Sequence, residues 1–155
     1  MEINQLLKRK SRDIIGNAVQ ALGRAHLQHY EMDGAEKARL RLESLCDVMA
    51  RCLSEKSATP IIRHAESIAR MRFASGFGLH EVQTSFNALE EAIWLQVLAD
   101  LEPTEFFEAM GLVSTLLGVG KDALARTYAS LATGSPVPSL ALREMIEETN
   151  GRQSA

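Results

Sequence analysis

The chain has 155 residues, a formal net charge of -3, 46% hydrophobic residues and 24% charged residues. This length suits one domain and is enough to bury a core. The acidic balance excludes the broad positive field that recruits nucleic acid, so we expect no nucleic-acid partner. No run of about 18 apolar residues occurs, and the N-terminus lacks the charge order of a secretory signal. We therefore expect a soluble, cytoplasmic protein with no membrane span.

One long helix is predicted over about residues 2–29. Gly16 and Gly23 lie inside it, and each costs about 0.5–1 kcal/mol relative to alanine within a helix. They either let another helix approach closely or mark a bend that splits the segment. His26 and His29 are three residues apart and can project from one helix face. No third or fourth ligand stands at a metal-binding spacing, so we predict no metal site.

A second helix is predicted to follow Asp33 and to end near Lys56. Asp33 and Glu36 have the spacing of a capping box, which starts a helix. The apolar positions recur at gaps of three or four residues, as on one helix face: Ala38, Leu42, Leu45, Met49 and Cys52. Arg41 falls among the charged residues of the opposite face. We interpret that face as solvated and assign it no binding role.

Residues 59–101 predict two long helices folded back on each other through a turn bracketed by Gly76 and Gly78. Pro60 suits the first turn of the third helix, and Gly76 lies where a helix end favours a left-handed residue. The fourth helix carries an apolar stripe: Leu79, Val82, Phe86, Leu89, Ile93, Val97 and Leu101. A turn this short predicts that these helices are antiparallel neighbours, with Phe77 folded inward.

The remaining sequence predicts a fifth helix and a C-terminal extension. Pro103 opens the helix at its first position, and apolar residues continue at helical spacing to about residue 132. Three glycines are dense for a helix and predict close packing or a kink: Gly111, Gly118 and Gly120. We assign residues 1–133 to one helical sensor or scaffold domain. Residues 134–155 read as a proline-containing linker, a short helix and a disordered tail.

The expected fold is therefore all-α, an antiparallel bundle of about five long helices with a short C-terminal helix. The bundle can be globin-like or resemble a four-helix bundle. No phosphate loop, nucleophile elbow, HExxH pair or dinucleotide fingerprint occurs, so we predict no catalytic residues and no cofactor. His64 and His80 can each serve as a proximal haem ligand in a globin-like bundle. A haem or small-molecule sensor is therefore kept as an alternative.

Trp94 and Leu98 form a second, narrower apolar strip on the fourth helix. This strip either packs in the core or faces a second copy of the chain. An apolar strip in addition to the main stripe favours the second interpretation, so we predict a homodimer.

An arginine-rich helix, a Gly-Phe turn and a Glu-Val helix start follow one another in the middle of the chain. In this sequence they are His64-Ala-Glu-Ser-Ile-Ala-Arg70, Arg72, Ser75-Gly76-Phe77, Leu79-His80-Glu81-Val82, Phe86, Leu89 and Ile93-Trp94. With them, residues 30–131 resemble the N-terminal domain of RsbR-type stressosome co-antagonists, the RsbRD N-terminal class. Similar domains serve as input domains of bacterial sensor kinases and regulators.

The resemblance implies a non-enzymatic helical input or scaffold module of a stress response, globin-like without haem, dimeric and coupled to an output domain. On this basis six residues are assigned to the turn and its neighbours: Arg70, Arg72, Gly76, Phe77, Glu81 and Phe86. The sequence departs from the family at Gly78, where Ser, Asp or Pro is frequent. The residues after 132 are too few to fold as an output domain. We expect the chain either to act on a regulatory partner in trans or to lead into an output domain outside this sequence.

Overall fold

The computed structural model describes residues 1–134, and every regular element among them is an α-helix. In chain order they are α1 (Ile3–Arg9), α2 (Ser11–Arg24), α3 (Gln28–Asp33), α4 (Ala35–Glu55), α5 (Thr59–Ala74), α6 (Leu79–Asp100) and α7 (Pro103–Thr133). The all-α prediction is confirmed for this part, with seven helices rather than five. None of these helices combines the length and the apolar character that crossing a bilayer requires. The predicted C-terminal linker, short helix and tail lie outside the described residues, apart from residue 134.

The first segment, predicted either as one long helix or as a helix split near Gly16 or Gly23, divides into α1, α2 and α3. It breaks at Lys10 and again over residues 25–27, where His26 has a left-handed φ of 49°. Gly16 and Gly23 are not sites of close helix approach, because no atom of a neighbouring element lies within 4 Å of a Cβ added at either position. The second break redirects the chain, and α3 then meets the turn between α5 and α6.

The predicted capping box at the start of α4 is also wrong. Asp33 ends α3, and Gly34 precedes α4 with a φ of 90° and no side-chain cap. The Asp33 carboxylate instead accepts a hydrogen bond from Arg41 Nη2 at 2.6 Å. A charge-assisted bond of this kind is stronger than a neutral one and competes for the carboxylate.

The apolar stripes predicted from the sequence form the core. All five stripe positions of α4 are buried, and so are the α6 positions from Val82 to Leu101. Along α7 the pattern is buried from Met110 to Leu124, whereas Leu131 is exposed. Helical periodicity therefore identifies the inward faces of these three helices, except at the end of α7.

Five of the helices pack against one another in a closed ring. In this ring α2 packs on α6, α6 on α7, α7 on α5, α5 on α4 and α4 on α2. Ion pairs mark the ends of the α2–α6 contact: Lys10 meets Asp100, and Arg24 meets Glu91. Residue numbers fall along α6 as they rise along α2, so these two helices are antiparallel.

Helix α5 packs mainly on α7 and meets α6 over only a short stretch. Ile61 at its start lies beside Gly120, and Phe73 near its end contacts Tyr128, so α5 and α7 run in the same direction. The prediction that α5 and α6 are antiparallel neighbours holds only near their turn. Small residues such as Ala65 on α5 and Gly120 on α7 allow a close approach, whereas a cavity separates α5 from α6.

Gly120→Ala is expected to lower the free energy of unfolding by about 1–3 kcal/mol, because the new methyl group overpacks a filled core. Its carbon would lie 2.7 Å from Cε2 of Phe86 and 3.1 Å from Cγ1 of Ile61. Gly16→Ala is the control, since its methyl group meets no other atom within 4 Å. That variant should gain about 0.5–1 kcal/mol from helix propensity. Urea denaturation measures both, and equal midpoints would contradict the close approach of α7 to α5 and α6.

Candidate functional site

The turn between α5 and α6 ends α5 with a left-handed cap. Gly76 has a φ of 85°, as predicted for the residue after a helix end. The Phe77 amide donates to the Arg72 carbonyl at 2.9 Å, and the Gly76 amide donates to the Phe73 carbonyl at 3.1 Å. These two bonds satisfy carbonyls that the end of a helix leaves unpaired. The cap sets the direction in which the chain enters residue 77.

Phe77 is buried, as predicted, at the centre of a group of side chains that we call the Phe77 cluster. Its members are Phe77, His29, Tyr30, Arg41, Arg72 and Tyr128. Tyr30 meets the ring edge-on with centroids 5.3 Å apart, and the guanidinium carbons of Arg41 and Arg72 lie 5.2 and 5.7 Å from the ring centroid. The Tyr128 hydroxyl donates to the Phe77 carbonyl at 3.0 Å. Residues from α3, α4, α5 and α7 thus converge on one turn residue.

Glu81 ties the start of α6 to α3. Its Oε1 accepts from the His29 amide at 3.0 Å, while its Oε2 accepts from the Gly78 amide at 2.8 Å and lies 2.7 Å from His29 Nδ1. Burial raises the pKa of Glu81, but the hydrogen bonds from the two amides and from the His29 ring outweigh it and hold that pKa below its usual value. Glu81 is therefore ionised at neutral pH, as these hydrogen bonds require.

A cavity of about 220 Å³ lies beside the Phe77 cluster, between α4, α5 and α6. Aliphatic side chains form much of its wall: Leu40, Leu42, Leu45, Ile68, Met71 and Val82. Six polar side chains also line it: Tyr30, Arg41, Ser44, His64, Arg72 and Ser85. None of the lining residues within 1–134 is acidic, so in this part of the chain the cavity joins an aliphatic wall to two cationic groups.

Two guanidinium groups reach this cavity, and only one of them has an acidic partner within residues 1–134. Arg41 pairs with Asp33, while Arg41 Nη1 is buried with no hydrogen-bond partner in the described part of the chain. Arg72 forms no ion pair within residues 1–134. Burial lowers the pKa of Arg72, and repulsion by Arg41 lowers it further. Burial, and then Arg72, also lower the pKa of His64, so the His64 ring is neutral at neutral pH.

The residues predicted from the sequence are divided between the turn, the cavity and the surface. Four of them lie in the turn or the Phe77 cluster: Arg72, Gly76, Phe77 and Glu81. Phe86 and His64 line the cavity. Arg70 is exposed, and its guanidinium donates to the carbonyl of Glu66 in its own helix. His80 is exposed at the first turn of α6 and does not line the cavity.

Trp94 and Leu98 are 41% and 54% exposed. The interpretation that this strip packs in the core of its own chain is therefore wrong. The core beneath it is filled by Ile93 and Val97, which are fully buried. The strip is a surface feature of α6.

Arg41 is misassigned by the sequence pattern, because it is not on a solvated face. Its guanidinium carbon lies 5.6 Å from the centroid of Tyr30 as well as close to Phe77. One sequence signal could have suggested this place: Arg41 is three residues after Ala38 and four before Leu45, at the edge of the buried stripe. An arginine at such an edge can bury its aliphatic stem and reach an aromatic face.

The histidine pair is also separated by the structure. His26 is exposed in the break after α2 and lies 3.0 Å from Glu31, whereas His29 is in α3 and contacts Glu81. No three His, Cys, Asp or Glu side chains of residues 1–134 are grouped so that they could hold a metal ion. The pairing of His29 with Glu81 spans 52 positions, beyond the reach of any local pattern.

Gly76→Val is expected to lower the free energy of unfolding by more than about 1 kcal/mol, because a β-branched residue is strained at a left-handed φ. Gly78→Val is the matched control from the same turn, since Gly78 has an extended φ of -72° and its nearest neighbour to an added Cβ is 3.8 Å away. Thermal unfolding compares the two variants. A Gly76→Val melting temperature as high as that of Gly78→Val would contradict the assigned cap.

Glu81→Gln is expected to cost about 1–3 kcal/mol at neutral pH, because it removes charge-assisted bonds at a mostly buried position. A carboxylate with a lowered folded pKa contributes stability above its unfolded pKa and loses it as the pH falls through the folded value. The difference between wild type and variant should therefore shrink below the ordinary value of 4.5.

Urea denaturation across this acidic range measures that difference. Glu90→Gln is the control, on the same helix and outside every ion pair of residues 1–134. If Glu81→Gln lowered the free energy of unfolding by the same amount at neutral and acidic pH, the stabilising role of the ionised Glu81 carboxylate would be excluded.

Comparisons with protein-family models, with curated proteins and with solved structures find no match for this chain. The resemblance to the stressosome N-terminal domains therefore stays a prediction, and so does the function that it implies.

Proposed function

We propose that the chain is a cytoplasmic, non-enzymatic signalling input or protein-interaction module that works as a homodimer. It acts on a regulatory partner or on an output domain outside this sequence. The likeness of residues 30–131 to stressosome N-terminal domains supports this role and suggests a bacterial stress response. A globin-like arrangement of the long helices belongs to the same proposal. The observation that carries it is an uncharged, exposed surface shared by α6 and α7.

On α7 this surface is a stripe at gaps of four, three and four residues: Phe107, Gly111, Ser114 and Gly118. Such gaps keep side chains on one side of a helix. All four positions are exposed, and Phe107 is 93% exposed. The next position of the same stripe, Lys121, donates to Asn87 of α6 at 2.9 Å. The stripe therefore borders α6.

On α6 the surface continues through Trp94 and Leu98. The bond between Asn87 and Lys121 places these two residues level with each other on antiparallel helices. With a rise of about 1.5 Å per residue on both helices, Trp94 is then level with Ser114. We call the combined surface the α6–α7 face, and it comprises Trp94, Leu98, Phe107, Gly111, Ser114 and Gly118.

The shape and chemistry of the α6–α7 face favour a second copy as its partner. No charge lies among its six residues, and exposed apolar patches of this kind mark interaction surfaces. The large side chains of this face lie beside glycine and serine. In a dimer with two-fold symmetry, Trp94 or Phe107 of one copy can therefore pack against the small residues of the other copy. Burying one side chain of this size at the interface stabilises the dimer by about 1.5–3 kcal/mol.

Phe107→Glu is expected to weaken the dimer by at least about 2 kcal/mol, which is roughly a 30-fold rise in the dissociation constant. A charge buried in an apolar interface has no partner there. Size-exclusion chromatography with light scattering at tens of micromolar measures the oligomeric state. Trp94, the only tryptophan, gives a second readout through its fluorescence on dilution.

Leu112→Glu is the matched control on the same helix. Leu112 is 44% exposed and lies about 140° around α7 from Phe107. It should leave the dimer intact. A monomeric wild type would remove the homodimer from the proposal, and equal weakening by both variants would place the interface elsewhere.

The alternative function, a globin-like sensor of haem or of another small molecule, is supported by the position of His64 in the cavity wall. At about 220 Å³ this cavity is below the roughly 300–1,000 Å³ of ordinary ligand pockets. Its size therefore favours a ligand much smaller than haem.

A further inference from the structure

The cavity beside the Phe77 cluster has a cationic end and an aliphatic wall. Arg72 reaches it without an acidic partner among residues 1–134, and no acid lines it. Arg41 pairs with Asp33 through Nη2 and lies against two aromatic rings, so it adds positive potential beside Arg72, and its buried Nη1 has no hydrogen-bond partner within residues 1–134. Arg72 therefore brings to the cavity a positive charge that no acidic side chain of residues 1–134 pairs with directly.

The aliphatic wall decides what kind of anion fits. The aliphatic side chains of this wall, such as Leu45 and Ile68, offer no hydrogen bonds to a fully polar ligand. A volume of about 220 Å³ holds roughly seven non-hydrogen atoms, if each takes about the 30 Å³ of a water molecule. A ligand with one charged group and a short hydrocarbon tail satisfies both ends of the cavity.

A carboxylate suits the charged end better than a phosphate does. The planar guanidinium fork of arginine matches the two oxygens of a carboxylate. A single negative charge also balances the one guanidinium that has no acidic partner within residues 1–134, whereas a phosphate dianion would leave excess charge beside the aliphatic wall. The neutral His64 ring on the same wall adds a polar group without adding charge.

We propose that this cavity binds a small aliphatic monocarboxylate, with Arg72 bound to the carboxylate and the side chains of α4 and α5 packed around the tail. The ligand lies between α4, α5 and α6, outside the short stretch over which α5 and α6 meet. The site is separate from the α6–α7 face, so its test does not depend on dimerisation.

Isothermal titration calorimetry on the full chain with sodium hexanoate tests the proposal. Wild type should bind hexanoate saturably and at least about tenfold more tightly than hexan-1-ol or inorganic phosphate. Arg72→Gln should weaken hexanoate binding about 10–100-fold, since it removes the charge-assisted bonds. Arg72→Lys keeps the positive charge but lacks the planar guanidinium group, so its affinity for hexanoate should lie between those of wild type and Arg72→Gln. Thermal unfolding without ligand shows that each variant is folded.

Arg70→Gln is the matched control, because Arg70 is an exposed arginine of the same helix that does not line the cavity. It should bind hexanoate as wild type does, and so should Phe107→Glu. The proposal is overturned if folded wild type binds no hexanoate at millimolar concentration, if hexan-1-ol or phosphate binds as tightly, or if Arg70→Gln loses as much affinity as Arg72→Gln. Were Arg72→Gln unfolded, a wild-type affinity in Arg72→Lys would overturn it equally.

Discussion

The insertion of Phe77 between α3, α4, α5 and α7 is the contact on which the rest of the structure depends. Its ring meets Tyr30 edge-on and accepts two guanidinium groups, while its carbonyl accepts the Tyr128 hydroxyl. The left-handed Gly76 before it and the hydrogen bond from the Gly78 amide to Glu81 after it hold this residue in place. Because four helices are joined at one side chain, the turn acts as part of the core rather than as a loop.

Holding Arg41 and Arg72 against aromatic rings has an electrostatic consequence. An arginine paired with a carboxylate leaves no net charge, whereas an arginine stabilised by a ring face keeps its charge available. Asp33 neutralises one of the two guanidinium groups, and no acidic side chain of the described residues lines the cavity beside the other. A half-buried positive charge next to an aliphatic wall is costly unless a ligand or water solvates it. This imbalance distinguishes the cavity from a packing defect.

Helix α6 belongs to both surfaces to which we assign a role. Its N-terminal half lines the cavity through Val82, Ser85 and Phe86, and its C-terminal half exposes Trp94 and Leu98. Between them, the buried side of α6 packs closely where Phe86 meets Gly120 of α7. This one helix therefore connects the interior with the outer face.

Local sequence pattern determined the all-helical class, the buried stripes of α4, α6 and most of α7, the glycine cap and the inward side chain at residue 77. Each follows from the period of the helix or from the steric needs of one residue, which act over a few positions. Tertiary structure alone decided where the first segment breaks and that α5 packs along α7 rather than along α6. It also decided that Arg41 and His29 contact the turn between α5 and α6. These outcomes depend on which faces fit together across 30 to 60 positions of the chain, and a periodic stripe shows that a face is buried without showing what lies against it.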